Sequence, residues 1–129
     1  MIRILRHQVE GFSRLYENKN WTVAWKTAAP SNSREAVTKL ERHNKTDEIF
    51  ILLSGNAVMM EGNVEAGAVT KLAERRMEQG CIYLIPKGTW HNTWMEPGAV
   101  FAMVENADTS YENTDLVEIG KIARQEDVE

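Results

Sequence analysis

Hydrophobic and polar residues alternate with a period of two along several short segments of the chain. Trp21, Val23 and Trp25 fall on one face of such a segment, and this alternation is typical of a strand with one buried face. The predicted strands cover residues 21–26, 48–53, 57–60, 81–85, 91–95 and 100–105. Short strands at this spacing, with glycine and proline between them, predict an all-β antiparallel sandwich or barrel.

Turn residues separate consecutive strands at two places. Gly55 and Asn56 follow residues 48–53, and Pro86 and Gly88 follow residues 81–85. Because glycine and asparagine tolerate positive φ, the first turn predicts an antiparallel hairpin between residues 48–53 and 57–60. The second turn predicts another antiparallel hairpin, between residues 81–85 and 91–95.

Two segments have an ambiguous pattern. Val69, Leu72 and Met77 have helical spacing among good helix formers, so the pattern of residues 66–79 alone predicts a helix. Residues 34–42 suit either a helix that begins at Asn32 or Ser33, or a strand.

The strand predicted at residues 48–53 is apolar on both faces. Phe50 and Leu52 lie on one face, whereas Ile49, Ile51 and Leu53 lie on the other. A barrel buries only the inner face of its strands, so we expect another segment or a second copy of the chain to cover the apolar outer face of this strand. The apolar N-terminal residues 2–5 also lack an obvious partner, and together these features predict a homodimer.

Length and composition limit the classes of protein. The chain has 129 residues, 43% of them hydrophobic and 26% charged, which predicts a single globular domain over residues 1–129 with a frayed end at 125–129. The net charge of −4 argues against a nucleic-acid partner.

No apolar run approaches the ~20 residues that span a bilayer. A single cysteine, Cys81, suits a reducing compartment, so we expect a cytoplasmic protein.

Polar residues with reactive side chains lie where the predicted strands meet turns. His43 and Lys45 share one face of an extended segment, and Glu48 follows a short polar turn. His91 begins the strand after the second turn. A barrel that brings these segments together would place His91 beside the other three side chains.

The spacing of these residues resembles the two motifs of the cupin superfamily. His43, Glu48 and Gly55 fit the first motif (residues 43–55), which runs His-x-His, three or four residues, Glu, six residues, Gly. The second motif, Gly, five residues, Pro-x-Gly-x-x-His, three residues, Asn, fits residues 80–95, with Gly80, Pro86, Gly88 and His91 in place. The resemblance implies a double-stranded β-helix (jelly-roll barrel) of the small RmlC-like kind, and it implies a hairpin rather than a helix at 66–79.

The resemblance also implies a set of metal ligands. In metal-binding cupins, three histidines and the glutamate hold a divalent cation, and this leaves His43, Glu48 and His91 here, a set suited to Fe, Ni, Zn or Mn. Lys45 stands where the second histidine is expected, and Met95 replaces the closing asparagine. An ammonium group repels a cation, so the residues leave three alternatives open: a metal site, a metal-free pocket with no cofactor, or a simple ion pair between Lys45 and Glu48.

The fold hosts many reactions, so function depends on the site. One hypothesis is a metal-dependent enzyme for a small polar or anionic metabolite, with Glu48 and Lys45 as candidate catalytic residues. A second is a ligand-binding or sensing module in which Lys45 pairs with an anionic ligand. A third is metal-free acid–base catalysis by a histidine and Tyr83. In each case Tyr83, Trp90 and Trp94 are candidate pocket residues beside His91.

Overall fold

The structure is a computed structural model that describes residues 1–7 and 9–120. It consists of two five-stranded antiparallel sheets, with strand orders β1-β2-β9-β4-β7 and β10-β3-β8-β5-β6. The strands are β1 (Phe12–Glu17), β2 (Trp21–Thr27), β3 (Lys39–His43), β4 (Glu48–Ser54), β5 (Ala57–Glu65), β6 (Ala68–Arg76), β7 (Tyr83–Ile85), β8 (Trp90–Met95), β9 (Val100–Asn106) and β10 (Thr114–Glu118). The predicted double-stranded β-helix is therefore confirmed. The frayed end predicted at residues 125–129 lies outside the described residues.

The main core fills the space between the two sheets. Phe50, Phe101 and Met103 from the first sheet pack there against Ala57 and Met95 from the second. Phe101 is fully buried, and its ring centroid lies 5.1 Å from that of Phe50. These side chains close one part of the barrel interior and leave the other part to polar residues.

A second core covers the outer face of the β3–β8–β5–β6 region. Leu40, Met60, Leu72 and Trp94 pack there, and the segment around Val37 lies over them. Residues 34–36 form a turn and β3 begins at Lys39, so the ambiguous segment 34–42 is a turn followed by a strand. Within the described residues, no helix is long and apolar enough to cross a membrane.

The two turns predicted to form hairpins instead carry the chain from one sheet to the other. β4 pairs with β7 and β9, whereas β5 pairs with β6 and β8. Gly55, at the corner between β4 and β5, has φ of +73°, and a Cβ there would lie 2.6 Å from Cα of Ala99. The glycine thus permits a tight corner rather than a hairpin turn. The corresponding corner between β7 and β8 contains Gly88.

The helix suggested by the pattern of residues 66–79 is wrong, and the hairpin that the resemblance implies is confirmed. β5 and β6 pair along their length, but the register shifts between Asn63 and Val64. This shift leaves Thr70 as an extra residue in β6, so Val69 and Leu72 lie on the same face although they are three residues apart. A β-bulge produced the helical spacing.

Candidate metal centre

Four side chains bring their donor atoms together inside the barrel. Glu41 and His43 come from β3, Glu48 begins β4, and His91 lies on β8. One ligand atom from each lies within 4.8 Å of all the others. We call these four residues the donor cluster.

The separations within the donor cluster suit a bound cation. His91 Nε2 lies 3.1 Å from Glu48 Oε1 and 3.7 Å from Glu41 Oε1. His43 Nε2 lies 3.6 Å from the same two oxygen atoms. Ligand atoms held about 2.1 Å from a tetrahedral ion are about 3.4 Å apart, so the residues present fit a divalent metal ion.

The backbone fixes the orientation of the His91 ring. His91 Nδ1 lies 2.9 Å from the carbonyl oxygen of Thr89. A carbonyl oxygen only accepts hydrogen bonds, so Nδ1 carries the proton and the lone pair of Nε2 points at Glu48. A lone pair facing a carboxylate requires a metal ion or a proton between them.

A hydroxyl group fixes the His43 ring in the same way. Thr114 Oγ1 donates to the carbonyl oxygen of Ser110 at 2.6 Å, so it must accept from His43 Nδ1 at 2.9 Å. His43 Nε2 is buried, and its separations of 3.6 Å from Glu41 Oε1 and Glu48 Oε1 are too long for hydrogen bonds, so within the described residues it has no hydrogen-bond partner. Outer partners that hold Nδ1–H are typical of metal-binding histidines.

The cluster is largely shielded from solvent, which strengthens its electrostatics. The Glu48 side chain is 2% exposed, whereas that of Glu41 is 32% exposed. The neighbouring carboxylates of Glu41 and Glu48 raise the pKa of His43 to about 10. Burial acts to raise the pKa of Glu48, but the neighbouring imidazoles of His43 and His91 hold it well below its usual range.

Two further titratable residues face the cluster and were not predicted from the sequence. Burial and the neighbouring Glu48 raise the pKa of Glu105 to about 8, so its carboxyl group is protonated at neutral pH. Burial lowers the pKa of Lys26, against the opposing effect of Glu41 and Glu48. The two remaining carboxylates, Glu41 and Glu48, therefore carry the charge that balances a divalent cation.

The predicted convergence of Lys45 with His43 and Glu48 is not found. β3 ends at His43, and Lys45 lies exposed in the bend that follows, so the two residues do not share a face of a strand. The fourth donor is Glu41, two residues before His43. The alternation of β3 signals this position, but the extended segment predicted from the sequence runs from His43 to Lys45, whereas β3 ends at His43.

The three predicted pocket aromatics lie in different places. Tyr83 lines a cavity with His91, and its hydroxyl oxygen accepts a 2.7 Å hydrogen bond from the backbone N–H of Glu78. Trp90 and Trp94 belong to the second core on the outer face of β8. Their predicted place beside His91 is wrong, because residues an odd number of positions from His91 point to the opposite side of a strand.

The fold resembles those of several solved structures. A conserved protein with a double-stranded β-helix domain from Klebsiella pneumoniae has a TM-score of 0.58 and 21% identity, and the match covers 88% of this chain and 85% of that one. The capsular polysaccharide assembling protein CapF from Staphylococcus aureus has a TM-score of 0.58 and 19% identity over 89% of this chain and 31% of CapF. KdgF from Halomonas has a TM-score of 0.51 and 14% identity, with coverage of 81% and 87%.

These similarities establish the fold. The protein has a double-stranded β-helix, the fold that its two sequence motifs imply. The chain spans about a third of the length of CapF. No protein-family model and no curated protein matches the sequence, so function rests on the site itself.

Proposed function

We propose that this protein is a small-molecule-binding cupin in which Glu41, His43, Glu48 and His91 hold one divalent metal ion. The observation that carries the proposal is the pair of fixed tautomers: both histidines commit Nδ1–H to outside acceptors and direct Nε2 at the same two carboxylates. Two imidazoles and two carboxylates suit iron, manganese, nickel or zinc. Elemental analysis of protein purified without added metal tests the proposal and identifies the ion.

The ligand or substrate is a small polar or anionic metabolite that reaches the donor cluster through the cavity beside His91. A bound divalent metal polarises the oxygen atoms of such a molecule as a Lewis acid. His91 is the member of the donor cluster that lines this cavity, whereas the buried Glu48 lies between the two histidines. Turnover of a panel of small acids and sugars by the metal-loaded protein tests for an enzyme.

A metal-free ligand-binding module is the second candidate, and the raised pKa of His43 favours it. A protonated His43 between Glu41 and Glu48 supplies the positive charge that a metal would otherwise bring. Lys45 does not take part, because it is exposed in the bend outside the barrel. A purified protein with no bound metal that still binds a small metabolite would favour this candidate.

We also propose that the protein is a homodimer built on the outer face of the β1-β2-β9-β4-β7 sheet. The outward positions of its central strands carry no charge: they are Trp21, Val23, Trp25 and Thr27 on β2, Val100, Ala102, Val104 and Asn106 on β9, and Ile49, Ile51 and Leu53 on β4. The exposed apolar side chains of Ile2 and Ile4 lie on the N-terminal segment. A two-fold axis matches such a face to itself without burying a charge.

The dimer is tested by sedimentation of the wild type and of Val104→Glu, which places a charge at the centre of this face. We expect a dimer at micromolar concentration for the wild type and a monomer for the variant. Glu65→Lys, in the exposed β5–β6 hairpin, is the control and should remain dimeric. A monomeric wild type would contradict the proposal.

The location is proposed to be cytoplasmic, because the chain has one cysteine, Cys81, and its thiol is free. A reducing compartment suits a protein that is stabilised by its barrel core rather than by disulfides. Fractionation of cells that express the tagged protein tests this, and recovery from an oxidising compartment would contradict it.

A further inference from the structure

A cavity of about 390 Å³ opens between the β5–β6 hairpin and β7. His91 lines it, so the cavity leads directly to the donor cluster. Met59, Tyr83 and Ile85 supply much of its apolar wall. It therefore has room for a small organic molecule with one end at the cluster.

One basic side chain, Arg75, is found among the described residues that line this cavity. Arg75 on β6 pairs with Met59 on β5, which in turn pairs with Thr93 on β8. Cross-strand partners point to the same face of a sheet, and so do residues two apart on one strand. Arg75 therefore shares the inner face of the sheet with His91, two residues before Thr93.

The distance between these residues sets the size of the molecule. Strands lie about 4.8 Å apart, and residues two apart on a strand are separated by about 6.6 Å, so Cα of Arg75 is about 12 Å from Cα of His91. An arginine and a histidine side chain that approach from the two ends leave space for a molecule of a few carbon atoms between them. A larger polymer would have to extend out of the cavity.

The environment of Arg75 differs from that of its neighbour. Arg76 points to the outer face and lies 3.4 Å from Glu96. Arg75 is exposed toward the cavity, and no ion pair with a carboxylate is found for it within the described part of the chain. Its guanidinium group is thus available for an anion from solution, and its planar fork suits two carboxylate oxygen atoms.

Glu61 limits which anion fits. It lines the same cavity and pairs with His91 across β5 and β8. An ionised carboxylate only accepts hydrogen bonds, so Glu61 repels a second anionic group but accepts a hydrogen bond from a hydroxyl group. A ligand that carries a hydroxyl group beside its carboxylate satisfies both Arg75 and Glu61.

We propose that this cavity binds a small hydroxycarboxylate, with its carboxylate on Arg75 and a hydroxyl group on Glu61. The other end of the molecule then lies at the donor cluster. This proposal deepens the proposed function, because it names the class of metabolite, and it rests on that function for the end that meets the metal.

The test is calorimetric titration of zinc-loaded, dialysed protein with glycolate, lactate, malate, tartrate and gluconate. We expect at least one of them to bind the wild type. Arg75→Gln should weaken that binding at least tenfold and leave the zinc content unchanged, whereas Arg76→Gln, one residue away on the outer face, should bind as the wild type does. Equal affinity in Arg75→Gln and the wild type, or no binding of any of the five acids, would overturn the proposal.

A parallel titration of metal-free protein separates this proposal from the metal site. Arg75-dependent binding of an acid to a protein that takes up no zinc would reject the metal and retain the hydroxycarboxylate. Zinc binding without any Arg75-dependent binding of an acid would retain the metal site and reject the hydroxycarboxylate. The amide of the acid that binds is the charge control, and binding of the amide as tight as that of the acid would also overturn the proposal.

Discussion

Glu41 Oε1 and His43 Nε2 lie 3.6 Å apart because both side chains leave the same face of β3. The pair supplies half of the donor cluster from one strand. In the cupin motif, the residue two positions after the first histidine is another histidine and joins the site. Here the residue two positions before His43, Glu41, joins the site instead, so a carboxylate replaces an imidazole. The site is thus more acidic than the three-histidine site that the motif describes.

Replacing Glu41 tests whether it is a ligand. Glu41→Gln keeps the size of the side chain but removes one of the two charges that balance a divalent ion. We expect divalent metal affinity to fall by about tenfold or more, which corresponds to ~1.4 kcal/mol or more. Glu65→Gln, at the exposed end of β5, is the matched control. Equal zinc affinity of the two variants in calorimetry would remove Glu41 from the site.

Thr114 acts on the metal through His43. Thr114→Val keeps the shape of the side chain and removes the oxygen that accepts from His43 Nδ1. Because such outer partners hold the ring and its tautomer, the variant should lose about 10–100-fold in metal affinity with little change in fold. Thr70→Val, on the surface of β6, serves as the control. A Thr114→Val protein with wild-type affinity would show that the hydrogen bond does not orient the ligand.

Metal binding should depend steeply on pH. The neighbouring carboxylates of Glu41 and Glu48 raise the pKa of His43 to about 10, so the metal-free site holds a proton on His43 at neutral pH. A metal ion must displace that proton, and a lower pH favours the protonated form. Affinity should therefore rise about tenfold per pH unit between pH 6 and 8, with about one proton released per ion. Titrations in buffers of different ionisation enthalpy count the protons, and a flat pH profile would contradict this account.

Lys26, rather than Lys45, is the ammonium group that faces the cluster. Removing it should reduce the repulsion of a bound cation, because Lys26 interacts electrostatically with Glu41 and Glu48 inside the barrel. Lys26→Met should raise zinc affinity severalfold, and Lys45→Met should leave it unchanged because Lys45 is exposed. The opposite order of effects would restore Lys45 to the site.

Trp94 should affect stability rather than ligand binding. Its Nε1 donates a 3.1 Å hydrogen bond to buried Glu74 in the second core. Trp94→Phe keeps an aromatic ring but removes this donor, so we expect a loss of about 1–3 kcal/mol in the free energy of unfolding. Denaturant unfolding measures the loss. A stable variant with altered metal or acid binding would place Trp94 in the site after all.

The sequence was informative where one local signal determined one local structure. The alternation of residues 21–26 predicted β2, and the resemblance of residues 43–55 and 80–95 to the cupin motifs implied the barrel and three members of the donor cluster, His43, Glu48 and His91. The sequence pattern was misleading where the local structure depends on contacts between residues that are far apart in the sequence. The corner at Gly55 exists because the chain passes close to Ala99, more than forty residues later, and the bulge at Thr70 exists because of its pairing with β5.

Glu41, the fourth residue of the donor cluster, could not be predicted from the sequence for the same reason. Glu41 and Lys45 stand at equal distances from His43 in the sequence, and only the position at which β3 ends decides which of them lies beside it. That end is set by the pairing of β3 with β10, in which His43 faces Thr114, a contact between residues that are far apart in the sequence.

The metal content of the protein tests the central claim most directly. Wild type and the double variant Glu48→Gln, His91→Ala are dialysed to equilibrium against the same micromolar zinc or manganese solution, and the metal-to-protein ratio is measured by elemental analysis. We predict a ratio of one ion per chain for the wild type and a ratio near zero for the double variant, with circular dichroism showing that both remain folded barrels. A folded wild type with a ratio near zero, or equal ratios in the two proteins, would contradict the account.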